Sequence, residues 1–158
     1  MNALKTFLTC LTVSIHLAGC GGIEGVSQSK ALALLDDFGR AVVAQDWEGL
    51  AALHASTSGV TAEALAAEFG GYSNMIGSIT DVTSTGIDEI EGAAKSELVS
   101  SLGLASSADS IRCIGRVIVG NGPESKSPAF EGVRVEVIIG EENGRYVVLT
   151  ISSASVID

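Results

Sequence analysis

His54 is the first residue to test for chemistry, because an imidazole titrates near neutral pH and can take up or release a proton there. Trp47, Leu50 and His54 recur at i, i+3 and i+7, and Tyr72 belongs to a later stripe of the same period, so helical spacing sets Trp47, His54 and Tyr72 on inward or boundary faces. With a carboxylate such as Asp46 or Asp81 beside it, His54 would act as a general base in a semi-apolar cavity. A histidine at a helix end, satisfied by one hydrogen bond, accounts for the same pattern and is the preferred reading, so no catalytic residue is assigned. Adjacent Asp36 and Asp37 diverge by about 100° on a helix and suit pairing with Arg40 better than acid–base work. No Gly-x-Ser-x-Gly elbow is present for a nucleophilic serine. Neither a spaced His and Cys cluster nor a calcium loop is present, so no metal and no cofactor are expected. Gly120, Gly122, Lys126 and Ser127 fail the spacing of a phosphate loop and join two strands instead of opening a helix. Arg112, Arg116 and Arg134 could hold an anion if they converge on one sheet face, although Glu136 can neutralise one of them.

The three cysteines have different prospects. Residues 1–5 carry one positive charge at Lys5, and residues 6–18 form a mostly apolar run with no Asp, Glu, Lys or Arg, the layout of a secretory signal. The run is shorter than the roughly 20 apolar residues a membrane-spanning helix needs. It ends in Leu17-Ala18-Gly19-Cys20, which resembles the lipobox of bacterial lipoproteins letter for letter. That resemblance implies a diacylglyceryl thioether on Cys20, cleavage before it and acylation of the new amino group. Stable anchoring takes more than one acyl chain, so such a Cys20 would hold the protein firmly to a membrane. With Gly21 after the cysteine, the resemblance further implies the periplasmic face of the outer membrane in a Gram-negative host. Cleavage discards Cys10 and lipid occupies Cys20, leaving Cys113, in an apparent strand, as a small buried hydrophobe.

The elements that would position these groups fill the remainder of the 158 residues. Three stages follow: a signal at 1–19, a lipidated cysteine and Gly-rich tether at 20–28, and one α+β domain at 29–158. The tether beyond Cys20 would reach about 25–29 Å at full extension. Leu34, Leu35, Phe38 and Val42 predict a first helix, Asp46 caps a second, and Thr61 opens a third along Leu65, Phe69, Tyr72 and Ile76. Ile79, Val82 and Ile87 predict a strand over residues 78–87, after which Asp88-Glu89-Ile90-Glu91 has the form of a capping box for a helix ending before Gly103. Three alternating runs predict three further strands: Ile111, Cys113, Val117 and Val119; Val133, Val135, Val137 and Ile139; and Val147, Leu149 and Ile151. Asn143-Gly144 between the last two predicts a type I′ hairpin, and a longer loop at 120–129 holds both prolines. Helices first and strands last predict N-terminal helices packed on a curved antiparallel sheet formed mainly by the C-terminal third.

Charge narrows the partners. The formal net charge of −10 excludes nucleic acid, whose phosphates demand a basic patch. Removal of Lys5 leaves 8 bases against 19 acids, −11, and residues 24–104 carry 12 of those acids against three bases. The acidic, helical half therefore disfavours anionic surfaces.

Phe38 through His54, with a helix passing into Ala44-Gln45-Asp46-Trp47-Glu48-Gly49-Leu50, resembles the opening helices of the nuclear transport factor 2-like superfamily. The ending from Val135 through Glu142-Asn143-Gly144-Arg145-Tyr146-Val147-Val148 resembles its last hairpin. The resemblance implies a cone in which a curved sheet wraps a helix and leaves a cavity. Members include isomerases, cyclases and dehydratases as well as noncatalytic binding domains, so fold alone leaves function open. No catalytic motif of the superfamily matches here. The expectation is a membrane-tethered, noncatalytic module for a small apolar ligand or another envelope protein, with a His54-based isomerase or hydrolase as the alternative.

Overall fold

Side-chain caps punctuate the helical half. In the computed structural model, which describes residues 26–120, 130 and 132–157, helix α1 runs Gln28–Ala44, α2 runs Trp47–Ala52 and α3 runs Ala62–Ile76. Asp46 accepts from the Gly49 amide ahead of α2, and Thr61 accepts from the Ala64 amide ahead of α3, so both expected starts are where the capping chemistry put them. The stripes Leu34, Leu35, Phe38 and Val42 of α1, and Leu65, Phe69, Tyr72 and Ile76 of α3, are buried. The described chain begins ahead of the expected Ser29 boundary: Val26 packs on the core and the Ser27 amide donates to the Tyr146 hydroxyl at 3.0 Å. Residues 1–25, with Cys20 and its flanking signal, and the loop at 121–129 lie outside the described residues.

The sheet has four antiparallel strands in the order β1 (Asp81–Glu89), β2 (Ile111–Gly120), β3 (Gly132–Glu142) and β4 (Arg145–Ile157). Consecutive pairing of neighbours needs no crossover through the sheet. Asn143 at φ 53° and Gly144 at φ 77° make the turn from β3 to β4, the two positive angles a type I′ turn requires. Helix α4 (Ala93–Leu102) and a short 3₁₀ turn (Ala108–Ser110) join β1 to β2.

The capping-box expectation at Asp88 is corrected. Strand β1 continues through Asp88 and Glu89, because Asp88 pairs opposite Ile114 and its carboxylate takes the Arg116 guanidinium from the neighbouring strand. Gly92, at φ 56°, turns the chain into α4 instead, with no side-chain cap.

Bulges redistribute the expected strand faces. A register shift between Ile111 and Cys113 sends Ile111 to the opposite face from Cys113, Val117 and Val119, which the alternation had grouped with it. A second shift in the β3–β4 ladder leaves Val147 and Leu149 on one face and returns Ile151 to the other. The sheet consequently has two cores. Helices α1 and α3 cover one face through Phe38, Phe69 and Ile76 over Val117, Val135, Val137 and Ile139. On the other face a smaller cluster of Ala55, Ile111, Ile138, Val147 and Leu149 is covered by half-buried Leu98, Val99 and Leu104 from α4 and the turn after it.

Candidate functional site

His54 lies just beyond α2, where the chain leaves the helix and touches the edge of the sheet. The Leu53 carbonyl accepts from the Val148 amide and the Ala55 amide donates to the Val148 carbonyl, each at 2.8 Å, so residues 53–55 form a one-bridge parallel contact on β4. The ring is 5% exposed, and Nδ1 bonds to the Leu50 carbonyl at 3.0 Å. A carbonyl only accepts, so Nδ1 carries the proton and Nε2 is left as a lone-pair acceptor, without a partner among the described residues. Burial pushes the imidazole pKa below 6.5, against the smaller opposing effects of the Leu50 bond and of Glu68.

The carboxylates expected beside His54 are elsewhere. Asp46 is exposed and engaged as the α2 cap, and Asp81, at the start of β1, accepts from Thr83 Oγ1 at 2.7 Å. The charge that reaches His54 is Glu68 of α3, a residue the sequence reading did not single out. Its signal was the four-residue spacing to Tyr72, which sets the two on one helix face. Tyr72 Oη donates to Glu68 Oε1 at 2.9 Å, and burial, with the carboxylate's charge and hydrogen bond added, holds the phenol well above its ordinary pKa of 10. Glu68 is thus committed to a buried tyrosine.

Trp47 and Tyr72 meet through Phe69. Trp47 stacks on Phe69 with centroids 5.7 Å apart and planes 17° apart, while Tyr72 and Phe38 meet Phe69 edge-on at 5.3 and 6.0 Å. The structure therefore assembles two of the three candidates on one aromatic hub and leaves His54 bonded to backbone at the sheet edge.

A cleft of about 580 Å³ opens beside that hub. Helix α3 forms one wall through Ala66, Ala67, Gly70, Gly71, Ser73 and Asn74. Val42 and Gln45 from the end of α1, Trp47 from the start of α2, and Ile79 ahead of β1 complete it, with Phe69 at its inner side. The volume lies within the roughly 300–1,000 Å³ of small-molecule sites. None of the lining residues is Asp, Glu, His, Lys, Arg, Cys or Tyr. His54 does not line it. The lining can stack, exclude water and form neutral hydrogen bonds, but it has no side chain that would exchange a proton near pH 7.

The arginines do not make an anion site. Arg112 bonds Glu141 at 2.8 Å and the Asp109 carbonyl at 2.8 Å, and Arg116 pairs with Asp88 and lies 3.8 Å from Glu136. Two of the three charges are offset before any ligand arrives, while Arg134 pairs opposite Ile118 along the ladder. Cys113 is fully buried, and burial, with the nearby Glu89 charge, raises its thiol pKa to about 11, which leaves the unreactive thiol form at neutral pH.

No family model matches the chain, and no curated protein matches it. Among solved structures it is similar to a protein of unknown function with a cystatin-like fold from Nostoc punctiforme, at 13% identity and a TM-score of 0.55, over 83% of this chain and 93% of that one. The chain shares that α+β, cystatin-like fold: helices followed by an antiparallel sheet.

Proposed function

We propose that this chain is a lipid-anchored protein of the bacterial envelope, a noncatalytic member of the nuclear transport factor 2-like group within the cystatin-like fold, that binds a small uncharged ligand in the cleft between α1, α2 and α3. One observation carries the binding reading: the cleft joins an aromatic and aliphatic surface to two amides and a hydroxyl, with no titratable side chain in its lining. Stacking and neutral hydrogen bonds are binding chemistry, whereas an isomerase or hydrolase needs a group that can exchange a proton. The anchoring reading rests on Leu17-Ala18-Gly19-Cys20 after the apolar run and Lys5.

Two measurements test the two halves separately. Trp47 is the chain's single tryptophan and lines the cleft, so its emission reports occupancy without a label. Titration with neutral small molecules shifts that emission saturably if the cleft binds; an emission indifferent to every member of the panel defeats the binding half. For the anchor, metabolic palmitate labelling is expected in the parent protein and lost in Cys20→Ala, and globomycin is expected to accumulate a precursor that retains its signal. Labelling that persists without Cys20 overturns the anchor.

A further inference from the structure

Two local rules of chain conformation are broken in opposite directions at the cleft. Gly70 and Gly71 sit in the interior of α3, where glycine is the costliest residue apart from proline. Glycine is normally kept there because a neighbour comes close, as at Gly39 of α1, where an added Cβ would lie 3.3 Å from the Val82 side chain. At Gly70 and Gly71 an added Cβ would meet nothing within 4 Å. The fold itself makes no use of the space they leave. Across the cleft, Gln45 caps α1 in the left-handed region at φ 56°, a seat that glycine fills without strain. There a side chain is present where the backbone would favour none. Positions at which local preference is overridden without a packing reason are where a functional demand is expected.

Resting on the reading of the cleft as a binding site, we infer that it holds a neutral saccharide ring, which lies close against the α3 backbone at Gly70 and Gly71. The lining specifies such a ligand in three ways. Its charge must be near zero, because no charged side chain lines the cleft to pair with it. It must present an apolar face, because the half-buried Trp47 and Ile79 offer only stacking and dispersion there, Phe69 and Val42 being closed off beneath them. It must also carry groups that both donate and accept, because Gln45, Asn74 and Ser73 do both and their side chains make no hydrogen bond among the described residues. A wholly apolar ligand would strip water from those amides and return nothing. A sugar ring supplies a C–H face and a hydroxyl rim in one body.

The test uses the folded protein with Trp47 emission as the binding readout and thermal unfolding as the stability readout. Chitobiose, maltose and N-acetylglucosamine are the saccharide probes, and Nile red is the apolar one. Saturable Trp47 shifts are expected with at least one saccharide. Gly70→Ala/Gly71→Ala is expected to melt at a higher temperature than the parent and to bind that saccharide at least about tenfold more weakly. Gln45→Gly is expected to be at least as stable as the parent and also to bind more weakly. A protein gaining stability while losing affinity separates ligand contact from support of the fold. Response to Nile red alone overturns the saccharide and leaves the binding site standing; response to no probe overturns both. Unchanged saccharide affinity in the double alanine variant overturns the part assigned to the glycines.

Discussion

His54 shows how burial sets the behaviour of a titratable side chain. Its Nδ1 proton is committed to the Leu50 carbonyl and its Nε2 faces no donor among the described residues, so protonation would place a second N–H and a positive charge where burial disfavours both. The folded-state pKa lies below the 6.5 of the unfolded chain, so at mildly acid pH the unfolded chain holds the proton that the folded one refuses. Stability from this residue is therefore complete above pH 6.5 and falls as pH drops from 6.5 toward the depressed folded value. Urea midpoints followed downward from neutral pH are expected to decline across that interval in the parent and to be flatter in His54→Gln; parallel curves would count against it. Glu142 adds a separate acid limb. The Ser56 hydroxyl and amide lower its pKa below 4.5, so its contribution is lost as pH falls below 4.5. At this scale the sequence was partly legible. The preference for a backbone-bonded histidine agrees with the Leu50 bond, but Glu68 and the glycine pair were passed over. A lone carboxylate on a helix looks solvated until a buried tyrosine is found above it, and small residues add nothing to an apolar period.

Among the elements, glycines with opposite roles and a lightly held helix give the clearest contrasts. An added Cβ at Gly115 would lie 2.7 Å from both terminal methyls of Leu35, and Leu35 is itself 2% exposed with little room to swing aside. Gly115→Ala is expected to destabilise by about 1–3 kcal/mol, the usual range for overpacking, as a lower urea midpoint at unchanged slope. Helix α4 has no buried residue and docks through half-buried Leu98 and Val99, whereas α1 buries Ala31, Leu34, Leu35, Phe38 and Val42. Amide exchange in α4 is expected to be faster than in α1 and α3 by orders of magnitude, and equal protection would contradict that ranking. Helix starts were readable because Asp46 and Thr61 act within three residues of themselves. Asp88 was misread because its partner, Arg116, belongs to another strand. The face exchanges of Ile111 and of Val147 with Leu149 were hidden for a related reason: a bulge is a relation between two strands and does not appear in the alternation of one.

For the whole molecule, one sheet separates two cores of unequal size. The larger is sealed by α1 and α3, and the smaller lies beneath α4 on the opposite face. The α+β architecture was legible because helical and alternating periods occupy different halves of the chain, and its agreement with a solved cystatin-like structure at 13% identity shows how little of that layout depends on particular residues. The cleft was not legible, because its walls come from the end of α1, the start of α2 and the middle of α3, which only the packed arrangement brings together. Helix α1 also separates the two ends of the proposed function. Its 17 residues span about 25 Å from Ser27, where the chain enters the fold, to Val42 and Gln45 at the cleft. A ligand site at the far end of that helix lies about a helix length from the point where an anchor would attach.

The entry point has a mechanical meaning as well. Ser27 is joined to Tyr146 by a hydrogen bond that spans 119 residues of sequence, and the Lys30 ammonium sits 5.7 Å from the centre of the same ring. Tension arriving through the residues that precede Val26 would therefore load β4 and the first turn of α1 together. Val26, packed on the core, and the Tyr146 hydroxyl are the first fastenings in that load path. Both hold the chain at Val26 and Ser27, ahead of Val42, so a pull from that side would meet the hem of the fold before it reached the α1 residue that lines the cleft.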